Sequence, residues 1–192
     1  MILCVITNEK MVIFMGLGKE YITNLDNYIK SNIKNITCKE ISELYFDFVE
    51  SIHMFGLSNF NVTGLTEYLF YRSFIHINKS IIDRDDLIIQ RKVEGTKRQP
   101  DLVIYREKEP ILSIEVKSNY ANIDEDYGRH HEVVILYPNI VTCTVAFCVN
   151  NKNNKQKIMN YSSTSDFYNC MILNDSNERL VDAMKKVNLV LF

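Results

Sequence analysis

Three charged residues near the ends of two apolar stretches have the types and spacing of a phosphate-chemistry site. Pro100-Asp101 opens one stretch, and Glu115-Val116-Lys117 closes the next. Because strand side chains alternate between faces, Glu115 and Lys117 would share one face and Val116 would lie on the other. A hairpin would bring Asp101 alongside them. Two carboxylates and one ammonium would then meet at one end of a sheet.

This combination fits the hydrolysis of phosphodiester bonds. Carboxylate oxygens suit a hard divalent cation, Mg²⁺ or Mn²⁺. Such a cation would polarise the scissile phosphate and lower the pKa of its bound water. Lys117 would orient that water or neutralise charge that develops on phosphorus. The sequence therefore predicts a metal-dependent nuclease with Asp101, Glu115 and Lys117 at its centre.

The same charges could instead lie on the wet face of an antiparallel sheet. Glu115 and Lys117 would then be an ordinary exposed pair. That alternative explains the alternation along residues 111–118 but not why Asp101 should share their face. A Pro-Asp pair is weak evidence alone, since roughly half of chains this long contain one. The acidic-x-Lys pattern on the next apolar stretch makes the combination informative.

Hydrophobic periodicity predicts the elements that must position these residues. The predicted helices cover 21–34, 39–55, 65–77 and part of 121–136, and the strands cover 87–92, 102–106, 111–118 and 140–149. A polar loop over 150–157, a further strand and a last helix near 177–187 should follow. From the third helix onward the order is helix-strand-strand-strand-helix-strand, which predicts an α/β (α+β) fold with a mixed central sheet flanked by helices.

The N-terminal residues are predicted to form an added hairpin. Met1 to Thr7 and Met11 to Met15 are short apolar runs, with polar residues between them. The following Gly16-Leu17-Gly18-Lys19 lacks the spacing of a phosphate-binding loop, so a plain turn is expected there. Turn formers also fill residues 56–63.

Length and composition indicate one soluble globular domain. The chain has 192 residues, of which 46% are hydrophobic and 24% charged. We expect one domain over 1–192, with a core at about 64–149, an N-terminal part over 1–63 and a C-terminal extension over 150–192. The net charge is −2, so any nucleic acid must be held by a local basic patch.

Compartment is inferred from the apolar runs and the cysteines. No apolar run reaches the length that spans a bilayer, and no basic leader precedes the N-terminal run. A cytoplasmic or nuclear location is expected. The five cysteines form neither a CxxC pair nor a regular framework, which favours free thiols over disulfides or zinc ligands.

The pattern Pro100-Asp101 followed by Glu115-Val116-Lys117, after a helix that carries Glu67, resembles the PD-(D/E)XK nuclease superfamily. The resemblance covers roughly residues 64–149. It implies the restriction-endonuclease-like fold and cleavage that leaves a 5′-phosphate. The Gln-x-x-x-Tyr signature of one branch is not visible after the lysine strand, so the resemblance reaches the superfamily and no branch within it.

The resemblance also implies roles for individual residues. Asp101, Glu115 and the carbonyl of Val116 would be the metal ligands, and Lys117 would be the catalytic lysine. Glu67 stands where many members place a further glutamate from the helix before the sheet. A single glutamate in a helix is common, however, so an ordinary surface position for Glu67 stays open.

Basic and histidine residues suggest further contacts. Lys97 and Arg98, in a basic hairpin with Arg91 and Lys92, are the candidates for phosphate contact, although charged turns are often only solvated. His130-His131 follow the lysine strand and could touch phosphate or metal, but a solvated helix is the favoured interpretation. His76 is expected to be structural, with a metal-ligand role as the alternative. A second basic cluster is formed by Lys152, Lys155 and Lys157.

Three functions remain open on the sequence alone. We expect a nuclease that acts on DNA rather than RNA, with nucleic acid and no membrane as its partner. An RNA-directed nuclease with the same site is the first alternative. A nucleic-acid-binding or protein-interaction module without turnover is the second. A homodimer is an open alternative to a monomer.

Overall fold

The computed structural model describes residues 8–54, 63–84, 88–90 and 92–192. Those ranges contain six helices and five strands. In chain order they are α1 (Asn8–Asn32), α2 (Cys38–Met54), α3 (Thr63–Arg84), β1 (Ile88–Gln90), β2 (Leu102–Arg106), β3 (Glu109–Lys117), α4 (Ile123–Leu136), β4 (Val141–Ala146), α5 (Lys152–Thr164), β5 (Asn169–Ile172) and α6 (Leu180–Lys186).

The strands form one mixed sheet in the order β1-β2-β3-β4-β5. β1, β2 and β3 pair antiparallel, whereas β3, β4 and β5 pair parallel. β3 is therefore the strand at which the sheet changes from antiparallel to parallel pairing. The predicted α/β class with a mixed sheet is confirmed. The predicted order of helix, three strands, helix and strand is observed in α3-β1-β2-β3-α4-β4.

One face of the sheet packs against α1, α2, α3 and α6 in the main hydrophobic core. Ile114 and Val116 of β3 point into this layer, where they meet the helices that contribute Ile29 and Phe74. Ile29, Phe74 and Ile114 are fully buried. Alternate residues of β3 therefore face a dry apolar layer, and the residues between them must face the other way.

The opposite face of the sheet packs against α4 and α5 in two smaller clusters. Val103 of β2 packs near Val133 of α4, and Ala146 of β4 lies in the cluster that contains Ile158 of α5. Polar residues of the sheet are also buried on this face, among them Thr144. A buried layer that mixes apolar and polar side chains thus covers the face to which Glu115 belongs.

A bulge interrupts the pairing of β2 with β3. Ile104 pairs with Leu112, whereas the next pair toward the turn is Tyr105 with Pro110. Ile111 is consequently an extra residue in β3, which is the arrangement of a β-bulge. The bulge sets which residues of β3 lie opposite the residues of β2.

Charged residues form the two-residue turn between β2 and β3. Glu107 and Lys108 connect β2 to β3 with φ angles of 51° and 74°. Left-handed backbone at both positions matches the twist of a two-residue hairpin turn, although glycine or asparagine is the usual choice there. This turn therefore contains two charged residues at positions where its backbone conformation favours glycine or asparagine.

The predicted N-terminal hairpin is wrong for its second strand. Met11 to Met15 and the predicted turn Gly16-Leu17-Gly18-Lys19 belong to the helix α1. Residues 1–7 lie outside the described residues. A short apolar run does not distinguish a strand from a helix. The packing of Leu25 and Ile29 into the core stabilises α1, against a helix penalty of about 1 kcal/mol for each glycine.

The predicted polar loop over residues 150–157 is also wrong, because α5 begins at Lys152. Asn151 caps this helix, and its side chain accepts a hydrogen bond from the Asn153 N–H at 2.8 Å. Ile158 is the buried residue of α5. A helix that buries so little lacks the apolar periodicity by which helices are recognised in a sequence.

The helix predicted over 65–77 extends to Arg84 as α3. Asn78 is buried within it, and its side chain donates to the carbonyl oxygens of Phe74 and Leu189 at 3.0 and 3.1 Å. Asn78 also accepts a hydrogen bond from the Leu191 N–H at 2.7 Å. This polar residue ties the C-terminal segment to α3, and Ile82 beyond it still packs against the main core.

Two expectations from composition can be compared with the described residues. None of the helices in those ranges is long and apolar enough to cross a membrane. Cys38, Cys143, Cys148 and Cys170 are free thiols, as predicted. Cys4 lies outside the described ranges, and so does the predicted turn over 56–63 except for its last residue.

Candidate active site

Asp101 is held against β3 by a main-chain hydrogen bond. It lies one residue before β2, and its Oδ2 atom accepts the Val116 N–H at 2.7 Å. A carboxylate that accepts a main-chain N–H forms a strong, charge-assisted hydrogen bond. The β2–β3 hairpin therefore places Asp101 directly beside the Glu115-Val116-Lys117 segment, as the sequence predicts.

Glu115 and Lys117 form an ion pair on the face of β3 that α4 covers. Lys117 Nζ lies 2.9 Å from Glu115 Oε2. The side chains are 25% and 11% exposed for the lysine and the glutamate. An ordinary pair on a wet sheet face would be largely solvated, so that alternative is wrong. The pair is largely buried, and Asp101 lies close enough for its negative charge to raise the pKa of Glu115.

Neighbouring charges and burial shift the pKa values of this pair. Burial raises the pKa of Glu115, the Lys117 ammonium lowers it, and the negative charges of Asp101 and Asp126 raise it, with a net increase. Burial lowers the pKa of Lys117. Its hydrogen bond to Glu115 and the surrounding carboxylates raise this pKa by a larger amount, so the net change is an increase. Lys117 is therefore an ammonium at neutral pH, suited to neutralising charge and not to accepting a proton.

Asp126 is a site residue that the sequence reasoning missed. It lies on α4, is 1% exposed, and its Oδ1 is 3.8 Å from Lys117 Nζ. Arg129 Nη1 donates to the same oxygen at 3.2 Å, while Asp126 Oδ2 is buried with no hydrogen-bond partner. Burial raises the pKa of Asp126, and the Lys117 and Arg129 charges oppose that increase.

A signal for Asp126 was present in the helix pattern. The buried residues of α4 are Ile123, Asp126, His130 and Val133, which recur at helical spacing along one stripe. Two of these four positions carry polar side chains. A polar residue on an otherwise apolar stripe must find a partner in the core, and strands β3 and β4 offer Lys117 and Thr144.

His130 is buried, which contradicts the prediction of a solvated position. Its Nε2 atom lies 2.9 Å from Thr144 Oγ1 on β4. Burial lowers the pKa of His130 to about 4, and the positive charges of Lys117 and Arg129 act in the same direction. His130 is thus a neutral imidazole under the site. His131, by contrast, is exposed on the same helix, as predicted.

The neutral His130 predicts a specific dependence of stability on pH. Its pKa is about 4 in the folded protein and 6.5 for an ordinary histidine, so its stabilisation is complete above pH 6.5 and is lost as the pH falls toward 4. The loss would reach about 3 kcal/mol at most. His130→Gln should be less stable than wild type at neutral pH, and the difference should shrink across this range in denaturant unfolding curves.

The matched control for this measurement is His131→Gln, which changes an exposed histidine one residue away. Its stability should follow that of wild type at every pH. If the His130→Gln and wild-type stabilities stay equally far apart from neutral to acidic pH, His130 does not titrate as its burial requires.

Glu67 reaches the site from the other side of the sheet. It lies on α3 and lines a cavity of about 370 Å³ together with Asp101 and Val116. The Glu115 side chain faces α4, whereas this cavity opens toward α3. Asp101 lies just before β2, next to both. Glu67 approaches it from the side of α3, and Glu115 from the side of α4.

Lys97 and Arg98 lie in the loop before β2, next to the end of α4. Arg98 donates to both carboxylate oxygens of Glu132, at 2.7 and 2.5 Å, whereas the Lys97 side chain is exposed. The charge of Arg98 is already compensated, which makes Lys97 the better candidate for a phosphate contact. Arg91 lies outside the described residues.

The remaining candidate residues are paired away from this site. His76 Nε2 lies 3.1 Å from Asp26 Oδ1 on α1, beside the bidentate Arg72–Asp26 pair. His76 therefore joins α3 to α1, as expected of a structural histidine. In the second basic cluster, Lys155 and Lys157 form ion pairs with acidic residues.

A divalent cation at this site would need oxygen ligands from Asp101 and its neighbours. Within the ranges that the structure describes, no group of three or more His, Cys, Asp or Glu side chains is arranged to hold a metal ion. The candidate ligands are two carboxylates, Asp101 and Glu115, with the main-chain carbonyl of Val116. These are hard oxygen donors, and the repulsion that Asp101 adds to the charge of Glu115 is one that a cation would offset. Oxygen donors of this kind are the ligand type that Mg²⁺ and Mn²⁺ prefer.

No protein-family model matches this chain, and a search of curated proteins finds no similar protein. Function must therefore be inferred from the residues and contacts of the site itself.

Proposed function

We propose that this protein is a metal-dependent nuclease that hydrolyses phosphodiester bonds of DNA and leaves 5′-phosphate ends. The observation that carries the proposal is the meeting of Asp101 with the Glu115–Lys117 pair across one hairpin. We further propose the restriction-endonuclease-like fold for its core and a single nuclease domain for the chain. The helix-strand-strand-strand-helix-strand order supports the first of these.

Each residue has a distinct part in this proposal. Asp101, Glu115 and the Val116 carbonyl would hold Mg²⁺ or Mn²⁺, which when bound polarises the scissile phosphate and lowers the pKa of a coordinated water. Lys117, held as an ammonium by its neighbours, would orient the attacking water or neutralise charge on the phosphate. Glu67 would approach the same centre from α3.

The architecture supports a large substrate over a small one. Asp101 and Lys117 lie at the ends of adjacent strands, and open cavities flank them on both faces of the sheet, of about 370 Å³ toward α3 and about 120 Å³ beside α4. One phosphate of a nucleic-acid backbone can lie at such a strand end while the nucleotides on either side follow the protein surface. With a net charge of −2, local cations such as Lys97 must supply the attraction.

The direct test is incubation with labelled single- and double-stranded DNA and RNA, each with Mg²⁺, Mn²⁺ or EDTA. We expect cleavage of DNA with either metal, products that a ligase accepts as 5′-phosphates, and no cleavage in EDTA. A Lys117→Ala protein purified in parallel controls for contaminating nucleases. Cleavage of RNA alone would favour the RNA-directed alternative, and no cleavage of any substrate would favour a binding module without turnover.

Lys97 and Arg98 should differ in their contribution to DNA binding. Lys97→Ala should weaken binding and reduce the slope of log K against log salt by roughly one unit, the value for one phosphate contact. Arg98→Ala should change the slope less, because Glu132 already compensates Arg98. The measurement is a binding titration at several salt concentrations in a buffer without divalent metal.

Lys108→Ala is the matched control, since Lys108 is an exposed lysine in the β2–β3 turn. Its salt dependence should equal that of wild type. A Lys97→Ala protein with an unchanged slope would return Lys97 to the class of solvated loop residues.

A further inference from the structure

We propose that Asp126 is a positioning residue that serves as the second anchor of Lys117. It keeps the ammonium in the site when the Glu115 carboxylate turns to a bound cation. The role in turnover rests on the proposed function, whereas the contact between Asp126 and Lys117 does not depend on it.

The ammonium of Lys117 lies between two carboxylates from two different elements. Glu115 Oε2 of β3 is 2.9 Å away, and Asp126 Oδ1 of α4 is 3.8 Å away. A lysine ammonium has three N–H donors, and one of them is directed to Glu115. A small rotation of the flexible lysine stem is enough to replace the first partner with the second.

Asp126 is held ready for this exchange. Arg129 donates to its Oδ1 at 3.2 Å and fixes the carboxylate, while Oδ2 is buried without a hydrogen-bond partner. Buried polar atoms without partners are rare because they lose hydration and gain nothing in return. An acceptor left unused in this way is available to the ammonium when it moves.

There is room for the movement. Lys117, Asn119, Asp126 and Arg129 line a cavity of about 120 Å³ between the end of β3 and α4. Lys117 can therefore turn from Glu115 toward Asp126 without displacing the core. Asp126 lies on the buried stripe of α4, so its position is set by the packing of the helix on the sheet.

A second anchor for Lys117 removes the competition between Lys117 and a bound cation for the Glu115 carboxylate. A divalent cation and the Lys117 ammonium compete for the oxygens of Glu115, and cation binding would otherwise release Lys117 into solvent. With Asp126 present, the lysine keeps a carboxylate partner in both situations. Lys117 thereby stays beside the scissile phosphate at the step where its charge is needed.

The contact can be tested without metal or substrate by NMR of the lysine side chains. In protein labelled with ¹⁵N-lysine at low temperature and mildly acidic pH, an ammonium protected by a carboxylate gives an observable ¹H–¹⁵N signal, assigned through Lys117→Arg. We expect the Lys117 signal in wild type, in Glu115→Ala and in Asp126→Asn. It should be lost in the double variant. Far-UV circular dichroism checks that each variant is folded.

The matched control is Asp124→Asn, which removes an exposed carboxylate from the same helix, where it pairs with Lys157. It should leave the Lys117 signal unchanged. Loss of the Lys117 signal in the single variant Glu115→Ala would show that Asp126 does not anchor Lys117 and would overturn the proposal. So would its absence from wild type or its survival in a folded double variant. A wild-type protein that cleaves no nucleic acid yet gives the expected NMR pattern would refute the nuclease function and leave the anchor contact standing.

Discussion

Replacing Lys117 with alanine is expected to lower the rate of phosphodiester cleavage by about 10²–10⁴-fold, the usual contribution of one positioned acid, base or charge-stabilising group. The ammonium is held by Glu115 at 2.9 Å and approached by Asp126 at 3.8 Å, so it occupies a defined position beside the proposed metal ligands. Cleavage under single-turnover conditions at saturating Mg²⁺ isolates this effect from substrate affinity.

Truncation of Lys117 to alanine also removes the packing of a largely buried side chain, which can destabilise the fold. Lys117→Met is therefore the second variant, because it keeps the volume of the side chain and removes only the charge. Lys108→Ala, in the exposed β2–β3 turn, controls for the loss of a lysine elsewhere. We expect Lys117→Met to bind Mn²⁺ and remain folded. Cleavage within a few-fold of wild type by this variant would remove Lys117 from the mechanism.

Asp101→Asn is expected to abolish cleavage while sparing the metal-free fold. The asparagine amide oxygen can still accept the Val116 N–H that Asp101 Oδ2 now accepts at 2.7 Å. Removal of one negative charge also relieves the repulsion with Glu115. The metal-free variant should be as stable as wild type, or up to ~1–2 kcal/mol more stable. Asp101→Ala, which has no acceptor, should lose about 1–3 kcal/mol.

Metal addition separates a ligand from a structural residue at this position. Wild type should gain about 2.7 kcal/mol of stability at a Mn²⁺ concentration one hundred times the dissociation constant, since the cation binds the folded state alone. Asp101→Asn should gain much less. Thermal melting curves with and without Mn²⁺ measure both effects. Strong destabilisation of metal-free Asp101→Asn, or an equal response of both proteins to Mn²⁺, would make Asp101 a structural cap of the strand.

The parts of the fold and site that the sequence predicted well depend on local patterns. β2 was predicted at its observed bounds, because an apolar strand bounded by charged turn residues has few alternative interpretations. The contact of Asp101 with β3 followed from the same hairpin. Residues 101 and 115 are close along the chain, so strand alternation and one turn suffice to bring them together.

The parts that were missed depend on contacts between distant segments. Asp126 and His130 face β3 and β4 only because α4 docks on the sheet, and no local pattern specifies which strand residue a helix will meet. The helical state of Met11 to Met15 is likewise specified by packing beyond the local sequence. α5 has a cap and few buried residues, so its sequence resembles that of a loop.

The bulge at Ile111 determines which residues of β3 face α3 and which face α4. Opposite residues of an antiparallel pair share a face, and Leu102 now lies opposite Ile114. Without the bulge, Ile111 would be paired, Leu102 would lie opposite Ser113, and the charged pair at the end of β3 would point into the apolar layer under α3. Exposed turns ordinarily tolerate changes of length. By contrast, a one-residue change of register between β2 and β3 would exchange the two faces of β3, whereas a change of two residues would preserve them.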